Sequence, residues 1–338
     1  MNELDTETLA LANELQALAS SVGTDRAKAF NAHARLVTLL PSSQPETRIQ
    51  IAEIAREFGH AAPAEVAATP HLVKLISLLE LGRFDEASQC LGIIEELTSL
   101  RERPADRWGL FVIRSLLAEW VGDTESANRY TSMARELANR HDIHGGPEAS
   151  MLFDFTRTWR DGTWHDLDGY RDTPPTESLE FIASALYFAH GDEPRRVDEV
   201  LAFVVPALRE GPPFLGWLGA CMVTAEAAAL VGSPFVDQLY DSLLPYSGLI
   251  AVNGLIAVST FGPVDRVLSQ LAIAQGRKAE GDRFFERAYD QAKNAGLVCW
   301  VHSMPIVRYI DMTTVDAAAH AETPAETPAD TAAEPVSR

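Results

Sequence analysis

The stretch LELGRFDEASQCLGIIEEL, residues 79–97, decides how the rest of the chain is read. A glycine follows an apolar helical run, and a second amphipathic run begins within a few residues. Glycine suits a helix end because it enters the left-handed region without a Cβ clash. The same punctuation recurs in EWVGDTESA at Gly122, TWRDGTWHD at Gly162, FAHGDEPRR at Gly191, ALVGSPFVD at Gly232 and AIAQGRKAEG at Gly276. The spacings are 40, 40, 29, 41 and 44 residues. A helical hairpin cannot bury its apolar face alone and does so by stacking on its neighbours. The expected fold is all-α, an α-solenoid of helical hairpins.

Outward from this region, helical periodicity continues in both directions. TETLALANELQALAS places Leu9, Leu11, Leu15 and Leu18 on one broad face, after Asp5 or Thr6 as cap. DRAKAFNAHARLVTLL and PETRIQIAEIAREFG follow, the second with Pro45 at its first helical position. The expected organisation is N-terminal capping helices over 1–62, repeats over 63–315, and a tail over 316–338. That tail is Ala/Thr/Pro/Glu-rich, with too little apolar surface to offset its ordering entropy, and is expected to be disordered.

Three hairpins carry a resemblance. GRFDEASQCLGIIEEL resembles the turn and second helix of a tetratricopeptide repeat, with small Ala87 where paired helices come close. GDTESANRYTSMARELA, with Ala127 and Ala134, and GRKAEGDRFFERAYDQAKNAG, with Gly281, Phe285 and Ala288, repeat the pattern. The hairpins at Gly162, Gly191 and Gly232 depart from it. The ordered string LLPY…GPV…L…LA…GR…A…F, within about residues 215–310, is similar to the C-terminal helical arm of large ATPase-type bacterial transcriptional regulators, LuxR-like and maltose-regulator-like. The chain contains no GxxxxGK[ST] phosphate loop and no terminal helix-turn-helix, so ATP hydrolysis and operator binding are not carried over. The resemblance implies a stand-alone helical arm that binds a protein, a peptide or a small inducer.

Composition narrows the partners. The chain has 338 residues, 28 basic against 48 acidic, and a formal net charge of −20. Phosphate binding depends on Lys and Arg, and no basic run is present. Neither direct nucleic-acid binding nor docking on an anionic membrane is expected. Cys90, Cys221 and Cys299 lack metal or redox spacing and read as small buried hydrophobes in a reducing compartment. The N-terminus has no signal-peptide pattern, and a cytoplasmic location is expected.

Residues 241–272, DSLLPYSGLIAVNGLIAVSTFGPVDRVLSQLA, interrupt the polar-faced pattern. The uncharged part is about fifteen residues, short of the roughly twenty needed to span a bilayer. A lone strand would leave its backbone groups unpaired. The expectation is that Pro245 ends a helix begun near Ser233, that Tyr246–Gly248 turn the chain, and that a buried apolar helix starts near Val252. Gly262–Pro263 then open the helix leading to Gly276.

The stretch DFTRTWRDGTWHDLDGYRD, residues 154–172, is the densest in recognition and reactive side chains. Its candidate binding residues are Asp154, Arg157, Trp159, Arg160, Trp164, His165, Asp168 and Tyr170. Trp beside Arg is the composition of protein-recognition hot spots. A His flanked by carboxylates could act as a general base. The competing reading is that Trp159 and Trp164 fill a layer between helices while the charges are solvated. His141 and His144, three apart, lack the third ligand a metal site needs; they read as polar residues at a helix end, with Gly145–Gly146 as cap and turn. Tyr240, Tyr246, Phe214 and Trp217 read as core. No nucleophile elbow or dinucleotide fingerprint is present, and no cofactor or metal is expected.

The functional expectation is a non-enzymatic helical-repeat protein that takes a protein or peptide partner in its groove, in transcriptional regulation. Two alternatives remain open: a small-molecule sensor of the same fold, and an enzyme with its site around residues 154–171.

Overall fold

The computed structural model describes residues 6–99, 103–163, 169–173, 179–191, 193–210, 216–254 and 256–304. The described chain is mostly helical. Helices α1 (Thr6–Val22), α2 (Asp25–Leu39) and α3 (Pro45–Arg56) lead into α4 (Ala64–Glu80) and α5 (Phe84–Ser99). Next come α6 (Pro104–Trp120), α7 (Thr124–His141), α8 (Gly146–Asp161), α9 (Leu179–His190), α10 (Pro194–Glu210), α11 (Trp217–Val231) and α12 (Val236–Leu243). Strands β1 (Ile250–Asn253) and β2 (Ser259–Pro263) precede α13 (Val264–Ala274) and α14 (Lys278–Asn294). The tail over 316–338 lies outside the described residues.

Five of the six turn glycines act as their spacing predicts, while Gly191 does not take positive φ. Gly82, Gly122, Gly162, Gly232 and Gly276 all take positive φ, between +62° and +82°. After α4, Arg83 N donates to Leu78 O and Gly82 N to Leu79 O; after α6, Asp123 N donates to Ala118 O. These bonds close the helix ends and turn the chain back. Helices α4 and α5, α6 and α7, and α13 and α14 pack as hairpins. Two of these hairpins share one contact in one register. Ser115 Oγ of α6 donates to Ala127 O of α7 at 3.1 Å, and Ser269 Oγ of α13 donates to Gly281 O of α14 at 2.7 Å. Each serine lies seven residues before its glycine and each acceptor five after. A Cβ on Gly281 would stand 2.5 Å from Ile273 Cγ1, so the small residue sets the approach of the two helices.

Helix α11 is buried on all sides, including Ala225, Ala227, Cys221 and Met222, and packs against α9, α10, α12 and α13. An all-round apolar helix is what a central position requires. Helix α1 differs from expectation: Leu11 and Leu18 are exposed, at 59% and 60%, and among its described side chains Ala19 is the buried one. Sequence-distant segments also meet. Trp120 Nε1 donates to Ala295 O at 2.9 Å, and Tyr246 Oη donates to Pro41 O at 2.9 Å. Cβ atoms on Gly82 and Gly122 would lie 2.9 Å from Ala295 Cβ and Val298 Cγ1. Residues 295–298 therefore rest on the turns of the α4–α5 and α6–α7 hairpins.

Residues 250–263 correct the expectation of a buried helix. They form an antiparallel β-hairpin with Ile250 opposite Pro263 and Asn253 opposite Ser259, bulged between Ala251 and Val252. The objection to a strand was unpaired backbone, and two strands joined by a short turn remove it by pairing with each other. Ile250, Val252, Val258 and Thr260 are β-branched, and Asn253 closes β1 opposite Ser259, with Gly254 opening the connection to β2. Gly254 has φ +85°. The hairpin is covered by α4, α8, α11, α13 and α14. Phe261 lies against Gly219, and Gly262 against the ring of Trp300, where a Cβ would come within 2.6 Å. The expected turns around it hold: α12 ends before a short 3-10 turn over Leu244–Tyr246, and Pro263 caps α13.

Candidate functional site

The residues singled out on α8 fall into two environments. Trp159 is 1% exposed and stacks on Phe155, with ring centroids 6.1 Å apart, and against Phe261 at 5.4 Å and Trp300 at 5.8 Å. It is a core residue, which corrects its assignment as a surface recognition residue. The charges beside it are not simply solvated. Arg157 donates from Nε to Glu119 Oε1 at 3.2 Å and from Nη1 to Asn128 Oδ1 at 2.9 Å. Arg160 also reaches Glu119 Oε1 and binds Asp161 at 2.8 Å. Burial opposes the Arg160 charge, but Asp161 and Glu119 outweigh it and hold its pKa above the ordinary value. Asp154 is exposed and paired with Arg135 of α7. The polar face of α8 thus bolts that helix to α6 and α7.

Tyr170 is half-buried, edge-on to Phe155, and its hydroxyl pKa is raised by burial. Trp164, His165 and Asp168 lie outside the described residues. Tyr240, Tyr246 and Trp217 are core as expected, and Phe214 is outside the described residues. His141 ends α7, but the left-handed C-cap is Asp142, with φ 48°, and Gly145 caps the start of α8. Among the described residues no three His, Cys, Asp or Glu side chains are grouped to hold a metal ion. No helix among them is long and apolar enough to cross a membrane.

Burial holds the cysteines and three of the described histidines in their neutral forms. Burial raises the pKa of Cys90, drives Cys221 well above the ordinary thiol value, and pushes Cys299 up to about 12. These sulfurs are thiols at neutral pH, and the thiolate is the nucleophile. Burial lowers His33 and His71 and takes His190 down to about 4.

Two buried ion pairs stand apart from the surface. Arg48 of α3 is fully buried, contacts Leu40 O, and pairs with Glu80 at the end of α4. Burial raises the Glu80 pKa to about 7 against the pull of Arg48. Arg266 of α13 lies beside both Trp159 and Trp300, 4.8 Å and 5.0 Å from their ring centroids. Its Nη2 is 2.6 Å from Glu226 Oε2 of α11, a close ion pair without hydrogen-bond alignment. Both pairs are structural in position, since neither opens to solvent.

The concave surface lies elsewhere. A groove of about 510 Å³ runs between the Leu81–Gly82 turn, the Ser247–Gly248 turn and α14. A second, of about 360 Å³, continues past Phe84, Asp85 and Val121 and shares Gly82, Asn294 and Ala295 with the first. Asp265 shapes the floor. Its Oδ1 accepts from Ser247 Oγ at 2.7 Å and Gly248 N at 3.2 Å, and its Oδ2 from Arg287 Nε at 3.0 Å. Gln291 Nε2 fixes Gly248 O at 2.6 Å. Arg287, Gln291 and Asn294 share one stripe of α14, at the i, i+4, i+7 spacing of one helix face. Sequence reasoning identified Gly82 and the LLPYSG…GPV string but missed Asp265, Arg287, Gln291 and Asn294. The polar stripe on α14 was the available signal. The arrangement can hold a ligand by hydrogen bonds and charge, and nothing in it activates a nucleophile. No family model, characterised protein or solved structure matches this chain.

Proposed function

We propose that the chain is a tetratricopeptide-like array of helical hairpins, an α-solenoid with N-terminal capping helices over 1–62, that works as a non-enzymatic binding protein. It takes a protein or peptide partner in the groove between the first hairpin turn and α14. The observation that carries this reading is the groove itself. Its walls come from sequence-distant turns held rigid by Asp265 and Gln291, the kind of pre-formed surface that binds without a large ordering cost. The shared Ser115–Ala127 and Ser269–Gly281 register supports the repeat, and the raised thiol pKa values count against a cysteine nucleophile. The regulator-type string at LLPY…GPV supports a place in transcriptional regulation, and the chain acts inside the cytoplasm.

The test is site-specific photo-crosslinking in cells, with the reactive residue at Asn294 in one variant and at exposed Arg195 on α10 in another. A discrete adduct at 294 that is missing at 195 is expected. Equal adducts at both positions, or none at 294, defeat the proposal. A small-molecule sensor is the second reading, because about 510 Å³ lies within the range of small-ligand sites. A metabolite panel that raises the melting temperature by mass action would favour it.

A further inference from the structure

Helices α6 and α7 turn to solvent a face whose charge runs against that of the acidic chain. Arg103, which precedes α6, and Arg107 and Arg114 within it follow one stripe, at i, i+4 and i+11. Arg129 joins them from α7. Phe111 of α6 stacks on Tyr130 of α7 with ring centroids 6.4 Å apart. The guanidinium carbons of Arg114 and Arg129 lie 5.7 Å and 5.1 Å from the Tyr130 centroid. Met133, one turn further along α7, is 37% exposed. The acids beside these arginines are Glu95, Asp123 and Glu125. Glu95 of α5 is held by Arg114 at 2.7 Å, and Asp123 accepts from Ser126 N at the start of α7. Glu125 stands one turn before Arg129. Arg107 and Arg129 are exposed and contact no carboxylate among the described residues. Arg129 donates to Ser126 Oγ at 3.4 Å instead.

Residues 316–338 lie outside the described residues, and their sequence complements this face in charge, spacing and side-chain type. Asp316, Glu322, Glu326, Asp330 and Glu334 stand there against Arg338 alone. The last four of these acids recur every four residues, a repeat of about 13 Å in extended chain. Arg107 and Arg114 are about 10 Å apart along α6, and their long side chains take up the difference. Pro324, Pro328 and Pro335 lie next to those acids. Proline-containing extended segments dock on aromatic surfaces at low ordering cost because their conformation is largely preset. Phe111 and Tyr130 supply that surface.

The face is also within reach. Val298 rests on the Gly122 turn that joins α6 to α7, where a Cβ would lie 2.9 Å from its Cγ1. From that turn Arg129 is about 10 Å away along α7, and Arg107 about 22 Å away along α6. The chain between Val298 and Glu322 spans up to about 80 Å. A tethered segment meets such a site at an effective concentration of the order of millimolar, well above that of most free competitors.

We propose that residues 322–335 of the chain's own C-terminal segment dock on the α6–α7 face, with carboxylates on Arg107 and Arg129 and prolines against Phe111 and Tyr130. The docked segment keeps other acidic segments off the face, which opens to them when the tail is displaced or loses its charge. This surface is distinct from the groove at α14 and does not depend on what the groove binds.

The test uses the full chain, with a photo-crosslinking residue in place of Met133 in one variant and of exposed Arg195 on α10 in another. Adducts within one chain to residues 316–338, identified by peptide mass spectrometry, are expected from position 133 and not from 195. The joint change Glu322→Gln, Glu326→Gln, Asp330→Asn and Glu334→Gln touches none of the described fold and is expected to lower the adduct yield at least fivefold. Arg107→Glu with Arg129→Glu is expected to do the same with an unchanged circular dichroism spectrum. A fluorescein-labelled peptide of residues 316–338, followed by anisotropy at about 0.1 M salt, is expected to bind the tail-neutralised chain at least tenfold more tightly than wild type, because the tethered competitor is gone.

No tail adduct at position 133, or equal adducts at 133 and 195, would overturn the proposal. So would adduct yields that survive both sets of charge changes. Adducts joining two chains rather than one would give the tail to a second copy and refute docking within the chain. Equal affinity of the labelled peptide for wild type and tail-neutralised protein would show that the tail does not cover the face. A short single-stranded DNA that binds the tail-neutralised chain more tightly than the peptide does would assign the face to nucleic acid and remove the tail as its ligand.

Discussion

Glu226→Gln is the substitution from which most can be learned about how the core is held. Glu226 has no exposed surface, and Arg266 has 2%. The amide keeps the volume of the carboxylate and removes the anion in contact with the guanidinium. An uncompensated buried charge costs about 3–5 kcal/mol. The Trp159 and Trp300 faces remain, at 4.8 Å and 5.0 Å, and a desolvated cation–π contact offsets this by about 2 kcal/mol. The expected net loss is therefore about 1–3 kcal/mol. Arg266→Met strands the carboxylate without any such offset and should cost about 3–5 kcal/mol. The double variant Arg266→Met/Glu226→Leu leaves no buried charge and should lie closer to wild type than Arg266→Met does. Guanidinium unfolding followed by tryptophan fluorescence is the assay, because two of the indoles flank the arginine. Circular dichroism on the same samples checks that the transition is two-state. Single costs that simply add in the double variant would refute the reasoning, since additivity means the two groups do not feel each other.

Three further outcomes follow from contacts already described. Gly82→Ala adds a Cβ 2.9 Å from Ala295 Cβ at φ +72°, whereas Gly232→Ala meets open space at φ +62°. The left-handed backbone costs both about 1–2 kcal/mol, so a greater fall in melting temperature for Gly82→Ala measures the contact alone, and equal falls would deny that contact. Glu80, raised to about 7 from 4.5 by burial against the pull of Arg48, binds its proton more tightly folded than unfolded. Its contribution is present below pH 4.5 and is lost as pH rises to about 7, an effect of about 3 kcal/mol. The stability of wild type relative to Glu80→Gln, from urea unfolding at pH 5 and pH 8, should fall accordingly, and a pH-independent difference would contradict the assignment. Cys90 and Cys221, both buried, should react with a thiol reagent at pH 8 only as the chain unfolds, with half-buried Cys299 reacting ahead of them, and rapid reaction of all three in native protein would show that burial does not protect them.

The hairpin turns were legible because glycine at a helix end solves a local problem. Gly82, Gly122 and Gly276 take positive φ to reverse the chain, and residues within about six positions show why. Ala87, Ala127 and Gly281 were legible for the same reason, since each acts against its own hairpin partner. The β-hairpin was written as locally, in the β-branched residues on either side of Gly254, and was missed because the strand was judged alone rather than as a pair. Trp159 misled for a different reason. A tryptophan among arginines reads as a recognition surface, but periodicity along α8 does not reveal that Phe261 and Trp300 close over that face. The groove was illegible altogether. Its walls come from residues near 82, 121, 248, 265 and 295, and no window of sequence contains them together.

That dispersal has a consequence for any ligand of the groove. In an open array each hairpin touches only its neighbours, and a ligand on one leaves the rest unaffected. Here Ala295 is the hinge of both the site and the closure: its carbonyl accepts Trp120 Nε1, its Cβ rests on Gly82, and its cap forms the groove wall. A ligand bridging the Gly82 turn and α14 therefore stabilises the same juxtaposition that joins the α4–α5 and α6–α7 hairpins to the segment that ends α14. Loosening the closure must weaken binding by the free energy that binding would contribute to closure, because the coupling is reciprocal. Trp120→Phe, which removes one closing hydrogen bond at a site the groove does not include, should therefore lower affinity for whatever the groove holds. A Trp120→Phe variant that is less stable yet binds undiminished would show that the groove forms without the closure.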